Sequence, residues 1–129
     1  MSIFNKNNKN EVNKNEFKIE INEYNVACNL ENRNSFILVI YDKDIQINEE
    51  YIKKDVISKV NKIKELISNN LEEIKTLSNE RANTYKGGRQ QQMHINFEKK
   101  QYVIIGNCDN KKISEKYLKL KNDILKIIK

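Results

Sequence analysis

EEYIKKDVISKVNKIKELISNNLEEIKTLSNER, residues 49–81, is the stretch whose reading decides how this chain folds. Apolar side chains recur at Ile52, Val56, Val60, Ile63, Ile67, Ile74 and Leu77. From Val56 the first steps are four, three and four residues, which lines one face of a helix. Ile57, Leu66 and Leu71 widen the stripe. Asn48 reads as the N-cap, because its side chain can accept a bond from an early free N–H. Glu49 and Glu50 then suit the positive end of the helix dipole. Glu49–Lys53, Glu50–Lys54 and Asp55–Lys59 place acid before base at helical spacing, a favourable order.

An unbroken helix over this run would be about 50 Å long, more than twice the roughly 20 Å of an ordinary strand. A sheet built from the rest of the chain cannot cover it. Either Ser68-Asn69-Asn70 breaks or bends the helix, or the helix runs through and its overhang packs on a second copy. In the first case Asn70 caps a second segment, with Glu73 completing a capping-box pattern. In the second, Asn70 falls in the apolar seam, where a polar residue sets register between paired helices. The break is the preferred resolution, and core packing is the preferred meaning of the stripe.

Outward from this helix the chain alternates. Residues 1–15 are rich in Asn and Lys, with too few apolar groups to offset ordering entropy, and are expected to be a flexible tail. Residues 16–24 place Phe17, Ile19 and Ile21 on one face of a strand. Tyr24, Val26 and Cys28 continue on the opposite parity, which predicts a bulge near Asn22-Glu23. Residues 35–41 form a continuous apolar run, read as a strand buried on both faces, or on one face plus a partner, and extending to Ile47. After the long helix, Gly87-Gly88 lies in a loop ending at Arg89. Residues 90–97 form a third strand, with Gln91, Met93, Ile95 and Phe97 on one face and Gln90, Gln92, His94 and Asn96 on the other. A turn at residues 98–101 leads to a fourth strand over 102–107. A last helix starts between Asp109 and Ser114 and carries Ile113, Tyr117, Leu120, Ile124 and Ile127.

The order hairpin, long helix, hairpin, helix predicts an α+β two-layer sandwich, an antiparallel sheet of about four strands with the helices on one face. Residues 16–129 form a single domain in this reading, and 129 residues suit that.

The chain is 33 % charged with net charge +6 and no proline. The excess favours acidic partners, although heavy Lys and Asn usage also reflects genome composition. Cys28 and Cys108 lack C-x-x-C spacing and are too few for a disulfide framework. With a single histidine they do not complete a usual zinc site. No apolar leader and no membrane-length run is visible. These features predict a cytoplasmic protein with two free thiols, off the membrane and without cofactor or metal.

His94 has no partner placed by sequence to orient it as a base, and Cys108 sits beside Asp109, which opposes a reactive thiolate. Both read as ordinary strand and core residues, so no catalytic residue is assigned. The stretch that the fold does not demand is Tyr85 to Gln92. Tyr85, Lys86, Arg89, Gln90, Gln92 and His94 are the candidate binding residues: a ring to stack on, two cations, amides and an imidazole. A loop arginine there is expected to leave the melting temperature nearly unchanged when removed. Three functions follow, in order of preference. The first is a non-enzymatic protein that binds and inhibits or neutralises another protein, as in immunity or counter-defence. The second is a nucleic-acid-associated basic protein. The third is an oligomeric binder of a small anionic or nucleotide ligand. A homo-oligomer, most simply a homodimer through the long helix and the second strand, is expected, because both are larger than a small sheet can bury.

Overall fold

The computed structural model describes residues 16–25, 35–79 and 88–129. The expected tail, Val26, Cys28, Tyr85 and Lys86 lie outside those residues. The elements are β1 (Lys18–Asn25), β2 (Phe36–Ile40), β3 (Ile45–Ile47), β4 (Glu50–Tyr51), α1 (Val56–Asn69), α2 (Leu71–Asn79), β5 (Arg89–Phe97), β6 (Lys100–Ile105) and α3 (Lys111–Ile128). The strands form one sheet in the order β4-β3-β2-β1-β5-β6, with every neighbouring pair antiparallel. The α+β class holds, and β3 and β4 raise the strand count from the expected four to six.

The core forms where the sheet meets the helices. Ile19 and Ile21 of β1, Leu38 and Ile40 of β2, Met93 and Ile95 of β5 and Ile104 of β6 are fully buried. Against them pack Val60, Ile63 and Ile67 of α1, Ile74 and Leu77 of α2, and Ile113, Tyr117, Leu120, Ile124 and Ile128 of α3. Each buried aliphatic side chain contributes about 2 kcal/mol relative to exposure. The helical stripe is therefore a core stripe. Ile57 is the exception at 59 % exposed, and on α3 it is Ile128 rather than Ile127 that is fully enclosed.

The long run is shorter than its pattern suggests, for two local reasons. Asn48 is not an N-cap. Asn48 and Glu49, with φ of 49° and 72°, form a two-residue turn that sends β3 back into β4. The Asn48 side chain accepts from the Ile37 N–H at 2.9 Å, and its own N–H donates to the Ile37 carbonyl at 2.8 Å. These bonds finish the edge of β2 where β3 stops. The helix begins only at Val56, with Asp55 in the N-cap position and left-handed. Glu49–Lys53 and Glu50–Lys54 thus lie ahead of the helix and not on it. Residues 45–47 are a separate strand turned back on β2, not an extension of it; the Tyr41 N–H donates to the Asp44 carbonyl at that turn.

The second reason is Asn70, which separates α1 from α2. Its side-chain amide donates back to the Leu66 carbonyl at 2.8 Å, while its own carbonyl accepts from the Ile74 N–H at 2.9 Å. The side chain therefore closes the first helix instead of capping the second. The break removes the overhang, and α2 lies along the edge of the sheet. There Ser78 Oγ accepts the outward N–H of Val103 on β6 at 3.1 Å.

Candidate functional site

Two groups of residues stand apart from the packed core: a buried charged cluster at one end of β1, and the sheet face turned away from the helices.

The cluster begins with Glu23. β1 pairs with β5 in one unbroken register from Lys18↔Asn96 to Asn25↔Arg89, so the expected bulge is absent. Alternation then carries the core parity of Phe17, Ile19 and Ile21 one step further, onto a carboxylate only 1 % exposed. Its oxygens are fully engaged. Lys121 Nζ donates to Oε1 at 2.8 Å, Arg89 Nη2 donates to the same oxygen at 3.3 Å, and the Tyr117 hydroxyl donates to Oε2 at 2.8 Å. Arg89 Nη1 also donates to Asn25 Oδ1 at 3.1 Å. The Lys121 ammonium sits 4.8 Å from the centre of the Phe36 ring.

Burial pushes the Glu23 carboxyl up. The bonds from Lys121 and Tyr117, the Lys121 charge and the Arg89 bond together outweigh it, and the carboxyl is held below its ordinary value. Burial, followed by the Glu23 charge and hydrogen bond, pushes the Tyr117 hydroxyl far above its ordinary value. Tyr117 is thus a neutral donor to an ionised acceptor. Gly106 makes room for it, since a Cβ at Gly106 would stand 2.5 Å from the Tyr117 ring.

The second group is the outer face of the sheet. The register sets Lys18, Glu20, Asn22 and Tyr24 of β1 beside Ile37, Val39 and Tyr41 on one side and Gln90, Gln92, His94 and Asn96 on the other. Gln46 and Tyr51 extend the face beyond β2, and Gln101 and Val103 extend it beyond β5. None of these side chains belongs to the buried core, and Tyr51 is 56 % exposed. Along β5 the polar residues form a ladder. Gln92 Nε2 donates to Gln90 Oε1 at 3.3 Å, and Gln92 Oε1 accepts from His94 Nε2 at 3.0 Å in the tautomer protonated there. Lys18, Glu20, His94, Asn96 and Gln101 line a shallow depression of about 150 Å³.

Compared with known proteins, no family model matches this chain, no curated protein matches it in sequence, and no solved structure matches its fold. Its own geometry is what bears on function.

That geometry divides the candidate residues. Gln90, Gln92 and His94 share the outer face. Arg89 does not join them: it is the first residue of β5, has the opposite parity, and turns toward the helices onto Glu23. The expectation of a loop arginine independent of the core is corrected by that bond. Tyr85 and Lys86 are outside the described residues. Glu23, Tyr117 and Lys121 were not picked out from sequence. The available signal was parity, because Glu23 follows Ile19 and Ile21 at the strand period. Among the described residues, no three His, Cys, Asp or Glu side chains gather as a metal-ligand group, and no helix is long and apolar enough to cross a membrane.

Proposed function

We infer that this chain is a non-enzymatic binding protein of the cell interior that acts on another protein, inhibiting or neutralising it, and that it docks through the outer face of its sheet. The observation that carries this reading is charge depletion. The chain is 33 % charged. Yet among the described residues the strand positions of the outer face hold one cation, Lys18, and one anion, Glu20, and these pair with each other at 3.3 Å. The remainder is Tyr, Ile, Val, Asn, Gln and a single His. Protein interfaces are depleted of charge at their centre and enriched in aromatic residues, with a polar rim.

The same observation weighs against nucleic acid, whose phosphates need unpaired cations on the contact surface. It also weighs against a small anion as the principal ligand, since Lys18, the cation beside His94, is paired with Glu20, and Arg89 and Lys121 are bound to Glu23 on the helical side.

The test is capture from the native host with tagged wild type, Val39→Lys on the outer face, and Lys116→Ala on α3. A partner retained by wild type and Lys116→Ala but lost with Val39→Lys is the expected result. Loss with Lys116→Ala and retention with Val39→Lys would move the docking surface to the helical side.

A further inference from the structure

The outer face of the sheet lacks unpaired cations, and the opposite side of the molecule holds them. The three helices carry ten lysines against five acidic residues. α3 accounts for most of that excess, with six lysines against Glu115 and Asp123. The charge is thus sorted between layers, a neutral sheet face on one side and a basic helix layer on the other.

The helical period divides α3 again. Ile113, Tyr117, Leu120, Ile124 and Ile128 are buried against the sheet. Lys111, Lys112, Lys119 and Lys126 are exposed on the other side, with one acid, Glu115, among them. Three lysines of α3 already hold a carboxylate: Lys116 on Glu73, Lys119 on Asp123 and Lys121 on Glu23. Lys111, Lys112 and Lys126 hold none among the described residues. The Lys119–Asp123 pair spans one turn at the surface, where such a pair contributes little and opens readily to a stronger anion. From Lys111 to Lys126 is about 22 Å along the helix axis, so the ammonium groups form an extended row and not a single pocket.

The make-up of this row selects among polyanions. Protein interfaces are depleted of lysine and enriched in aromatic residues and arginine, and the exposed side of α3 has neither of the latter. A helix that lies on a membrane inserts an apolar face below the headgroups. The apolar face of α3 is committed to the core, and Leu118, 50 % exposed, is the one large apolar side chain it turns outward. Backbone phosphates of nucleic acid ask for separate point charges along a surface, which lysine supplies. Arginine, the commonest reader of base edges, is absent from α3.

We propose that the exposed side of α3 binds the phosphate backbone of nucleic acid, without reading its sequence, through Lys111, Lys112 and Lys126. This contact does not depend on the docking reading above. It lies on the other side of the sheet, so both contacts can be made at once.

Fluorescence anisotropy of a labelled duplex of about 20 base pairs, titrated with full-length protein over roughly 50 to 200 mM salt, tests it. Each phosphate neutralised adds about 0.9 to the fall of log affinity with log salt. Three contacts therefore give a slope of about −2.7 and a loss of about 40-fold over that range. Permuting the duplex sequence should leave the affinity as it is. Lys111→Ala and Lys126→Ala should each make the slope shallower by about 0.9, and the double variant by about 1.8, with circular dichroism unchanged. Lys43→Ala removes the same charge from the turn between β2 and β3 and should leave the slope unchanged. Absence of binding at the lowest salt overturns the proposal. So does a double variant that keeps the wild-type slope, because the contact then lies elsewhere on the chain, or a strong preference for one duplex sequence. Tighter binding to phosphatidylserine vesicles than to the duplex, lost in the same double variant, would assign α3 to a membrane surface and also overturns it. Capture with Val39→Lys responds to none of these outcomes, so the docking face stands or falls separately.

Discussion

Glu23 is the residue with the largest consequences for its size. A carboxylate at a core position is tolerated only when its oxygens are satisfied, and Lys121, Tyr117 and Arg89 do this from two other elements. Glu23→Gln keeps the shape but leaves two cations facing an amide. Loss of one partner from a buried ion pair costs about 3–5 kcal/mol. Arg89 and Lys121 retain some solvent, so about 2–3 kcal/mol is expected here, read as a drop in urea midpoint at neutral pH. The sign with pH follows from the carboxyl being held below its ordinary value of 4.5. The unfolded chain takes up the proton first as the solution is acidified. Glu23 therefore stabilises fully above that value, and its contribution is lost as pH falls through and below it. The stability difference between wild type and Glu23→Gln should shrink over that acid window and stay flat above it. A difference that grows on acidification would contradict the assignment. Arg89→Ala should also lower the melting temperature, because Arg89 is a member of this cluster. Gly106→Ala should destabilise by about 1–3 kcal/mol, the range for overpacking a filled site, since its Cβ would meet the Tyr117 ring.

At the scale of elements, two hairpin turns carry strain that a sequence reader does not see. β3–β4 turns through Asn48-Glu49 and β5–β6 through Glu98-Lys99, all four with positive φ. Two-residue loops of this geometry favour Asn-Gly, and neither turn has glycine. A left-handed non-glycine residue costs roughly 1–2 kcal/mol, part of which glycine returns as unfolded-state entropy. Lys99→Gly should thus stabilise by about 0.5 kcal/mol, seen as a higher urea midpoint at constant slope. A lower midpoint would mean that the Lys99 side chain holds something. The missing glycine is also why β4 was not legible: without it, residues 48–55 continue the helical charge pattern without interruption. By contrast, β1, β2, β5 and β6 could be read directly, because Ile19, Ile21, Met93 and Ile95 alternate with polar neighbours. The end of α1 was readable in the Asn69-Asn70 pair, although the side chain acts backward onto Leu66. Glu23 was missed because a charge after two isoleucines reads as the end of a buried face, when parity in fact continues. The orientation of Arg89 followed from the same alternation, once its place in β5 and not in the loop was fixed.

For the whole molecule, the decisive contact is between strands far apart in sequence. β1 lies in the centre of the sheet, paired over eight residues with β5. It thereby joins the β1–β4, α1 and α2 part of the chain to the β5, β6 and α3 part. The Glu23 cluster repeats the join, since it ties β1 to Arg89 of β5 and to Tyr117 and Lys121 of α3. Neither part has a complete core of its own. Ile19 and Ile21 need Met93 and Ile95 as sheet neighbours, and both pairs need the helices above them. Such a chain should unfold in one cooperative step. In native-state hydrogen exchange, the β1 and β5 amides at Ile19, Ile21, Met93 and Ile95 should then open together, at the free energy of global unfolding. Amides of β4, which is two residues long with both side chains exposed, should exchange through a local opening of much smaller free energy. Exchange of β5, β6 and α3 as a group below the global value, with β1 and β2 still protected, would show that the ladder between β1 and β5 does not join the two parts into one cooperative unit.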